Sequence, residues 1–218
     1  SRVADLKMRL FQQDESEAEM CGNGMRCLVK HAIDMRYIKL GTCMVETLAG
    51  VLAIGTHRAK GKILIKINMG RPKFDCREIP AACEGEFLER EVEGYMVSAV
   101  NTGVPHAVIF VDDLELPVAA VAPKIRYNEV FPRGANVNFV KLEKKGLRIR
   151  TYERGVEGET LSCGTGAVAS AAIASRLGLV GGEVNVYTKG GLLKIFLKDG
   201  YAYLEGTAET VYRGEILG

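Results

Sequence analysis

The sequence lacks a strong charge imbalance, a long apolar run and a secretion signal. Its 218 residues carry a net charge of +2, which gives no electrostatic reason to expect nucleic acid or an anionic membrane as a partner. No apolar run is long enough to span a bilayer, since Arg176 interrupts the best one. The first residues, Ser-Arg-Val-Ala-Asp-Leu-Lys, lack the apolar core of a signal peptide. We therefore expect a cytoplasmic protein that binds neither nucleic acid nor a membrane.

The six cysteines form neither a Cys-x-x-Cys pair nor a regularly spaced framework. This spacing argues against a cysteine-based zinc site, and a reducing compartment makes free thiols the expected state. Four of the cysteines are interpreted as buried small side chains or incidental surface residues, namely Cys27, Cys43, Cys76 and Cys83.

The other two cysteines open a short repeat. Cys21-Gly-Asn-Gly24 and Cys163-Gly-Thr-Gly166 share the pattern Cys-Gly-x-Gly, and helix-forming residues follow each copy. A single cysteine at a helix start is structural more often than catalytic, whereas two in matching settings favour catalysis. Two thiols at matching helix entrances indicate one active site assembled from two halves.

A helix entrance suits a catalytic thiol for electrostatic reasons. Its unpaired N–H groups and partial positive charge favour a thiolate, so a thiol pKa of about 8.5 can fall well toward neutrality. The glycines let a ligand approach the backbone, and the same N–H groups can hold a carboxylate. With two such sites facing each other, one thiolate can remove an α-proton while the other thiol returns one. This general acid–base chemistry inverts a stereocentre without a metal or cofactor.

The rest of the sequence is rich in predicted strands. Helices are predicted over residues 24–37 and from Cys163 to about Gly178, and the sequence Asp199-Gly200 predicts a tight hairpin. Many strands with only two substantial helices predict an α+β chain of two similar halves, each a sheet wrapped around one helix. Strands are predicted over 3–11, 43–48, 51–54, 62–69, 95–101, 106–111, 136–142, 147–153, 183–188, 194–197 and 201–204.

Four motifs give the sequence a family resemblance. Glu17-Ala-Glu-Met-Cys-Gly-Asn-Gly-Met-Arg-Cys27 and Glu153-Arg-Gly-Val-Glu-Gly-Glu-Thr-Leu-Ser-Cys-Gly-Thr-Gly166 resemble the two signatures of the diaminopimelate epimerase family. Between them, Asn101-Thr-Gly-Val-Pro-His106 and Asn136-Val-Asn-Phe139 resemble two further family motifs in the same order. The resemblance covers nearly the whole chain.

The resemblance implies a fold and an activity. It implies two similar domains, each a mostly antiparallel sheet around a central helix, with the active site in the cleft between them. We place these domains at residues 1–73 with 209–218 and at residues 74–208. It also implies cofactor-independent interconversion of LL- and meso-diaminopimelate for lysine and cell-wall synthesis. The expected partner is this small-molecule substrate, and the expected assembly is a homodimer.

The resemblance also assigns roles to individual residues. Cys21 and Cys163 become the two acid/base groups, and His106 with Glu153 positions the reacting centre. Four residues at the helix entrances are expected to bind the substrate carboxylate at that centre: Gly22, Asn23, Gly164 and Thr165. Two more are expected to bind the non-reacting end of the substrate: Asn136 and Arg154, whose guanidinium suits bidentate carboxylate binding.

The sequence departs from the family pattern in several places. Gln12, also expected to contact substrate, stands where the family usually has Asn, and Glu15 stands where it has Gly. Val104 replaces an Asn before the Pro-His pair, and Asn101 is expected to substitute for that lost amide in binding substrate. The family's N-terminal Gly-Asn-Asp-Phe segment is absent, so we expect the sequence to begin inside the first domain.

Three other interpretations stay open at this point. A proline-racemase-type enzyme would share the two-thiol logic, but its first motif usually has His where Asn23 stands. A cysteine hydrolase could combine Cys163 with His106, which leaves Cys21 unexplained. A non-catalytic module could bind anions at both Gly-x-Gly turns, and its binding would survive loss of both thiols.

Overall fold

The computed structural model describes residues 1–11, 15, 17–18 and 20–215 and confirms the predicted α+β class. It divides into two compact units, Ser1–Asn68 with Glu205–Gly218, and Met69–Leu204. The domain limits predicted from the sequence stay a prediction. None of the helices in the described ranges is long and apolar enough to cross a membrane.

In its described residues the first unit holds a run of four paired strands, a separate pair of short strands and one helix. In chain order its elements are β1 (Leu6–Lys7), β2 (Leu10–Phe11), β3 (Glu17–Ala18), α1 (Gly22–Asp34), β4 (Gly41–Thr47), β5 (Gly50–Ala59) and β6 (Lys62–Asn68). Strands β1, β4, β5 and β6 pair in that order, with β1 parallel to β4 and the other neighbours antiparallel.

Helix α1 has one buried face. Met25, Val29 and Ala32 are almost completely buried, at the spacing that places residues on one face of a helix. In β6, Ile63 and Ile65 alternate with more exposed residues and are also buried, as the period-two pattern of the sequence predicts. These apolar side chains make up much of the core of the first unit.

The second unit is larger and contains most of the predicted site residues. In chain order its elements are β7 (Arg90–Val92), β8 (Tyr95–Asn101), β9 (Pro105–Phe110), α2 (Val118–Arg126), β10 (Asn136–Glu143), β11 (Gly146–Glu153), β12 (Gly158–Thr160), α3 (Gly164–Arg176), β13 (Glu183–Thr188), β14 (Gly191–Lys198) and β15 (Tyr201–Gly206). The strands pair in the order β15-β14-β13-β11-β10-β9-β8-β7, and β12 adds to β11. Among the pairs from β7 to β14, pairing is antiparallel except between β9 and β10 and between β11 and β13.

Helix α3 is central to the second unit. Its sequence, Gly-Thr-Gly-Ala-Val-Ala-Ser-Ala-Ala-Ile-Ala-Ser-Arg, is dominated by small residues, and ten of its 13 residues are buried. Small side chains let the surrounding strands approach a helix closely on several sides, so this helix is buried almost all round. A second apolar cluster lies beneath α2 and includes Ile125 and Phe139.

Several local predictions are confirmed and three are wrong. Asp199 and Gly200 both have positive φ, 53° and 78°, as a two-residue hairpin turn requires. The single strand predicted over residues 3–11 is wrong, because only β1 and β2 form there. The prediction of only two substantial helices is wrong, because α2 is a third; it spans nine residues with Pro123 inside, which weakens its helical signal.

The third error concerns the thiols. Cys76 and Cys83 form a disulfide across a separation of seven residues, so the expectation of free thiols is wrong for this pair. Backbone hydrogen bonds from Cys76 N to Gly85 O and from Ala81 N to Cys76 O fold the intervening segment back on itself. The two cysteines meet because of this turn, which their spacing alone does not reveal. The remaining four, Cys21, Cys27, Cys43 and Cys163, are free.

Candidate active site

Cys21 caps the N-terminus of α1. Its backbone is extended, with φ −139° and ψ 120°, and its Sγ accepts a hydrogen bond from Gly24 N at 3.5 Å. A cap of this kind is usually made by Ser, Thr, Asp or Asn, whose side-chain oxygen accepts from an unpaired N–H of the first turn. The thiol is partly buried and lies at the start of the helix, as the Cys-Gly-x-Gly motif predicts.

Arg26 supports this helix entrance and was missed by the sequence analysis. Its side chain is only 8% exposed, and its Nη2 donates to Asn23 Oδ1 at 2.9 Å. Its Nε donates to the carbonyl of Thr207 at 3.2 Å, which ties the first turn of α1 to the C-terminal segment of the same unit. Burial lowers the pKa of Arg26. The signal was the spacing of three residues between Asn23 and Arg26, which brings two helical side chains together.

Cys163 caps α3 in the same way. Its φ and ψ are −113° and 114°, and its Sγ accepts from Gly166 N at 3.4 Å. The hydroxyl of Thr165 lies 3.3 Å from the same sulfur. Unlike Cys21, Cys163 is buried, with 6% of its surface exposed.

The ionisation of Cys163 differs from the sequence expectation. Burial, followed by the negative charge of Glu153, raises the pKa of Cys163 to about 12, although hydrogen bonds from Thr165 and Gly166 act in the opposite direction. The expectation that the helix entrance would bring this pKa toward neutrality is therefore wrong for Cys163. Desolvation of the thiolate outweighs the helix-terminal N–H group, so Cys163 is a protonated thiol at neutral pH.

Glu153 ends strand β11, where β12 pairs with it. The hydroxyl of Thr160 donates to Glu153 Oε1, which orients the carboxylate. Glu153 is directly opposite Gly158 in the register of the two strands. The Glu153 carboxylate lies close enough to Cys163 to contribute to the raised pKa of the thiol, and a role for Glu153 in positioning the reacting centre stays a prediction.

His106 lies in β9 and is fully buried. It is aligned with Asn136 in the parallel register of β9 and β10, and its Nδ1 is 3.0 Å from Asn138 Nδ2. Burial, followed by the positive charge of Arg154, lowers the pKa of His106 to about 3. The imidazole is therefore neutral throughout the physiological pH range.

Asn136 and Arg154 lie side by side and make several contacts with the backbone. Asn136 Nδ2 donates to Pro105 O at 3.2 Å, and its Oδ1 accepts from Arg154 N at 2.8 Å. Arg154 Nη1 donates to the carbonyls of Arg133 at 3.1 Å and Gly134 at 3.5 Å. These bonds fix where the Arg154 guanidinium lies. Binding of a distal carboxylate by this pair stays a prediction.

Asn101 takes a turn-forming role in the structure. Its Nδ2 donates to Glu78 O at 2.7 Å, and its Oδ1 accepts from Gly103 N at 2.9 Å, as in an Asx turn. The neighbouring Thr102 donates to the carbonyl of Thr165 at 3.0 Å and so connects this turn to the first turn of α3. Substrate contact by Asn101 stays a prediction.

Two of the sequence departures lie in the β2–β3 region. Gln12 is outside the described residues. Glu15 has a φ of 66°, in the left-handed region that favours glycine, which accounts for the Gly that the resemblance implies at this position.

The structure gathers ten of the twelve predicted site residues into two sets, one in each unit. Cys21, Gly22 and Asn23 form the entrance of α1. Two further residues that no motif role singled out, Asn138 and Gly166, lie between members of the second set. That set lies around the entrance of α3 and comprises His106, Asn136, Glu153, Arg154, Cys163, Gly164 and Thr165.

Comparison with known proteins adds family evidence to this geometry. A family model described as diaminopimelate epimerase matches residues 1–74 and 98–211. The chain is 57% identical over 213 residues to the diaminopimelate epimerase of Methanocella arvoryzae, covering 97% of this chain and 76% of that protein. It is 50% identical over 216 residues to the diaminopimelate epimerase of Archaeoglobus fulgidus, with 98% and 76% covered.

Solved structures share the fold at much lower sequence identity. A PhzF-family phenazine biosynthesis protein of Bacillus anthracis matches with a TM-score of 0.71 at 19% identity, covering 95% of this chain and 79% of that one. A hydroxyproline epimerase from Agrobacterium vitis, solved with trans-4-hydroxy-L-proline, matches with a TM-score of 0.65 at 17% identity, covering 92% of this chain and 67% of that one. At these identities the likeness concerns the fold alone.

Proposed function

The chain belongs to the diaminopimelate epimerase family, and on that premise we propose that it is an isomerase interconverting LL- and meso-diaminopimelate. The observation that carries the proposal is the pair of Cys-Gly-x-Gly entrances, each with its thiol capping a helix. This reaction belongs to lysine biosynthesis. A cysteine hydrolase would use only one of the two thiols and an anion-binding module would use neither, so both leave the repeated cysteine unexplained.

The chemistry is a proton transfer on each face of one carbon. A thiolate removes the α-proton, and the electron pair of the C–H bond stays on the carbon, delocalised into the neighbouring carboxylate. The opposite thiol then gives its proton to the other face of the carbon and becomes a thiolate. One S–H bond forms and one breaks, so the step needs no oxidant or reductant.

The raised pKa of Cys163 supports a role for this thiol as the acid at the start of the reaction. Because burial and Glu153 raise the pKa of Cys163 to about 12, it is protonated at neutral pH and is the acid at the outset. Cys21 is then the base for that direction of the reaction. In the reverse direction the roles exchange, and the high pKa makes the Cys163 thiolate a strong base once it has formed.

The two helix entrances are the proposed binding sites for the substrate carboxylate at the reacting centre. The unpaired N–H groups of a first helical turn attract an anion, and Gly22 and Gly164 add no side chain that would hinder its approach. Asn23, held by Arg26, and Thr165, held by Thr102, flank these N–H groups. Their binding of the carboxylate at the reacting centre, and the binding of the distal end by Asn136 and Arg154, are parts of the proposal.

Incubation with pure LL-diaminopimelate tests the function. Chiral separation should show the meso isomer appearing and the mixture approaching equilibrium without an added cofactor. A folded protein that leaves LL-diaminopimelate unchanged, or that instead racemises proline, would overturn the assignment. Circular dichroism of the same sample establishes that it is folded.

The proposals on location and assembly rest on the sequence. We propose that the chain acts in the cytoplasm and forms a homodimer. Sedimentation equilibrium tests the assembly directly, and a monomeric mass at micromolar concentration would contradict it.

A further inference from the structure

Asn138 connects the buried histidine to the strand beside it. It is fully buried in β10, and its Nδ2 donates to the carbonyl of Ala107 at 3.0 Å. The same Nδ2 is 3.0 Å from His106 Nδ1, and its Oδ1 accepts from the hydroxyl of Thr151 at 3.0 Å. Asn138 is therefore a hydrogen-bonding neighbour of His106 Nδ1, although no motif role falls on it.

The orientation of the Asn138 amide follows from its partners. A backbone carbonyl can only accept, so the amide atom 3.0 Å from Ala107 O must be the NH₂ group. Rotating the amide by 180° would place two carbonyl oxygens against each other. Thr151, aligned with Asn138 in the antiparallel register, can donate to the remaining oxygen. The amide orientation is therefore set by the hydrogen bonds.

The amide orientation in turn determines the histidine tautomer. Because an NH₂ group faces His106 Nδ1, that nitrogen must accept, and the ring proton must be on Nε2. Protonation of the ring would put an N–H group at Nδ1 against the Asn138 donor. His106 Nε2 is buried and has no hydrogen-bond partner among the described residues.

We propose that Asn138 is a positioning residue that locks His106 as the Nε2–H tautomer, so that His106 acts as a hydrogen-bond donor and never as a proton-transfer group. The Nε2–H group suits an oxygen that gains negative charge, such as a substrate carboxylate as the α-proton leaves. The lowered pKa of His106, about 3, agrees with this assignment. Its catalytic part rests on the proposed function.

Asn138, which sets the His106 tautomer, also packs against the first turn of the helix that Cys163 caps. A Cβ built on Gly166 would lie 2.5 Å from Asn138 Oδ1, 3.3 Å from Thr151 Oγ1 and 3.3 Å from Cys163 Cβ. Asn138 is therefore held directly beneath the first turn of α3, whose N-cap is Cys163. This contact couples the orientation of His106 to the position of the Cys163 entrance.

Nitrogen-15 NMR of the full chain, labelled at histidine, tests the lock without any turnover. Wild-type His106 should show the proton on Nε2 and a pyridine-type Nδ1 from pH 8 down to pH 5. In Asn138→Ala the donor is lost and the Nδ1–H form should become detectable. In Asn138→Asp the carboxylate can only accept when ionised, so the proton should move to Nδ1.

A matched control separates the lock from general packing. Val140 is also buried in β10 but is aligned with Phe110, four residues along β9 from His106, so Val140→Ala should reduce stability and leave the tautomer unchanged. A wild-type His106 with its proton on Nδ1, or both Asn138 variants with an unchanged tautomer, would overturn the lock. Because these spectra need no substrate, they stand even if the proposed function fails.

Two substitutions of His106 test the donor role. The amide nitrogen of Gln can take the place of Nε2, whereas that of Asn can take only the place of Nδ1. Epimerisation by His106→Gln should stay within about tenfold of wild type, while His106→Asn should lose much more. An equal loss of about 10²–10⁴-fold in both variants is the size expected for a lost general acid or base and would overturn the donor-only role.

Discussion

The entrances of α1 and α3 have the same local geometry but different surroundings. In both, a cysteine with extended backbone caps the helix, and its sulfur accepts from the N–H three residues later, at 3.5 Å for Cys21 and 3.4 Å for Cys163. Cys21 is only partly buried, however, whereas Cys163 is 6% exposed and beside Glu153. The motif therefore specifies the cap, whereas the burial of Cys163 and the charge of Glu153 beside it raise the pKa of that thiol.

The glycines of the two repeats show the same contrast. A Cβ on Gly24 would come within 3.0 Å of the terminal methyl of Met8, which is the end of a flexible side chain. A Cβ on Gly166 would come within 2.5 Å of Asn138 Oδ1. The Asn138 amide is held in place by three partners, with Oδ1 bonded to Thr151 and Nδ2 to His106 and Ala107. One entrance can adjust to a larger residue, and the other cannot.

Loss of either thiol should have the largest effect. Cys21→Ser and Cys163→Ser should each reduce kcat for epimerisation by at least about 10³-fold, because inversion needs an acid and a base on opposite faces. Cys27→Ser, which removes an exposed thiol of the same helix as the Cys21 cap, is the matched control and should keep nearly full activity. Retained turnover in either of the first two variants would contradict the two-thiol mechanism.

Alanine at the two matching glycines should give unequal losses of stability. Gly166→Ala should lower the free energy of unfolding by about 1–3 kcal/mol, because Asn138 cannot move without breaking its hydrogen bonds. Gly24→Ala should be close to neutral, since the higher helix propensity of Ala offsets a small shift of Met8. Urea denaturation measures both, and equal losses would show that the entrances are packed alike.

The buried thiol should make the protein sensitive to alkali. Between an unfolded pKa of about 8.5 and the folded pKa of about 12, the unfolded state releases the Cys163 proton and the folded state keeps it. Stability is therefore complete below pH 8.5 and falls as the pH rises, by about 2 kcal/mol at pH 10. Urea denaturation at pH 7 and pH 10 should show this loss in the wild type.

Two variants isolate the contribution of Cys163 from those of other groups that titrate in alkali. Between pH 7 and pH 10, Cys163→Ser should lose about 2 kcal/mol less free energy of unfolding than the wild type, because the titrating thiol is gone. Val168→Ala removes buried apolar surface from the same helix and should keep the full alkaline loss. Identical pH dependence in wild type and Cys163→Ser would contradict the raised pKa of this thiol.

Neutralising Glu153 should bring Cys163 closer to the behaviour of an ordinary thiol. Because the Glu153 carboxylate contributes to raising the pKa of Cys163, Glu153→Gln should lower that pKa, although burial keeps it above its usual range. Thiolate absorbance near 240 nm, measured against Cys163→Ser as the blank, follows the ionisation. An unchanged titration curve would mean that burial alone sets the pKa.

The sequence was most informative where structure depends on neighbouring residues. Strands Tyr95–Asn101 and Glu183–Thr188, the hairpin at Asp199-Gly200 and both cysteine caps follow from local patterns. Such features depend on alternation, turn chemistry and capping, which a short stretch of residues encodes.

The features that the sequence did not reveal depend on residues far apart in the chain. The lock on His106 needs β9, β10 and β11 in register, and the Cys76–Cys83 disulfide needs a fold-back of an irregular segment. The pKa of Cys163 depends on burial by the whole second unit, which opposes the effect predicted from its helix entrance. The motifs therefore locate the candidate catalytic groups without specifying their protonation states.

The most direct test of the two-thiol account is the isotope pattern of the reaction started from LL-diaminopimelate in deuterated water. If one thiol removes the α-proton and the other delivers a proton already exchanged with solvent, proton NMR should show early meso product carrying deuterium at the inverted carbon. The unreacted LL isomer should still carry protium at the same time. Deuterium entering the LL isomer as fast as meso product forms would show that one exchangeable group serves both faces and would contradict the account.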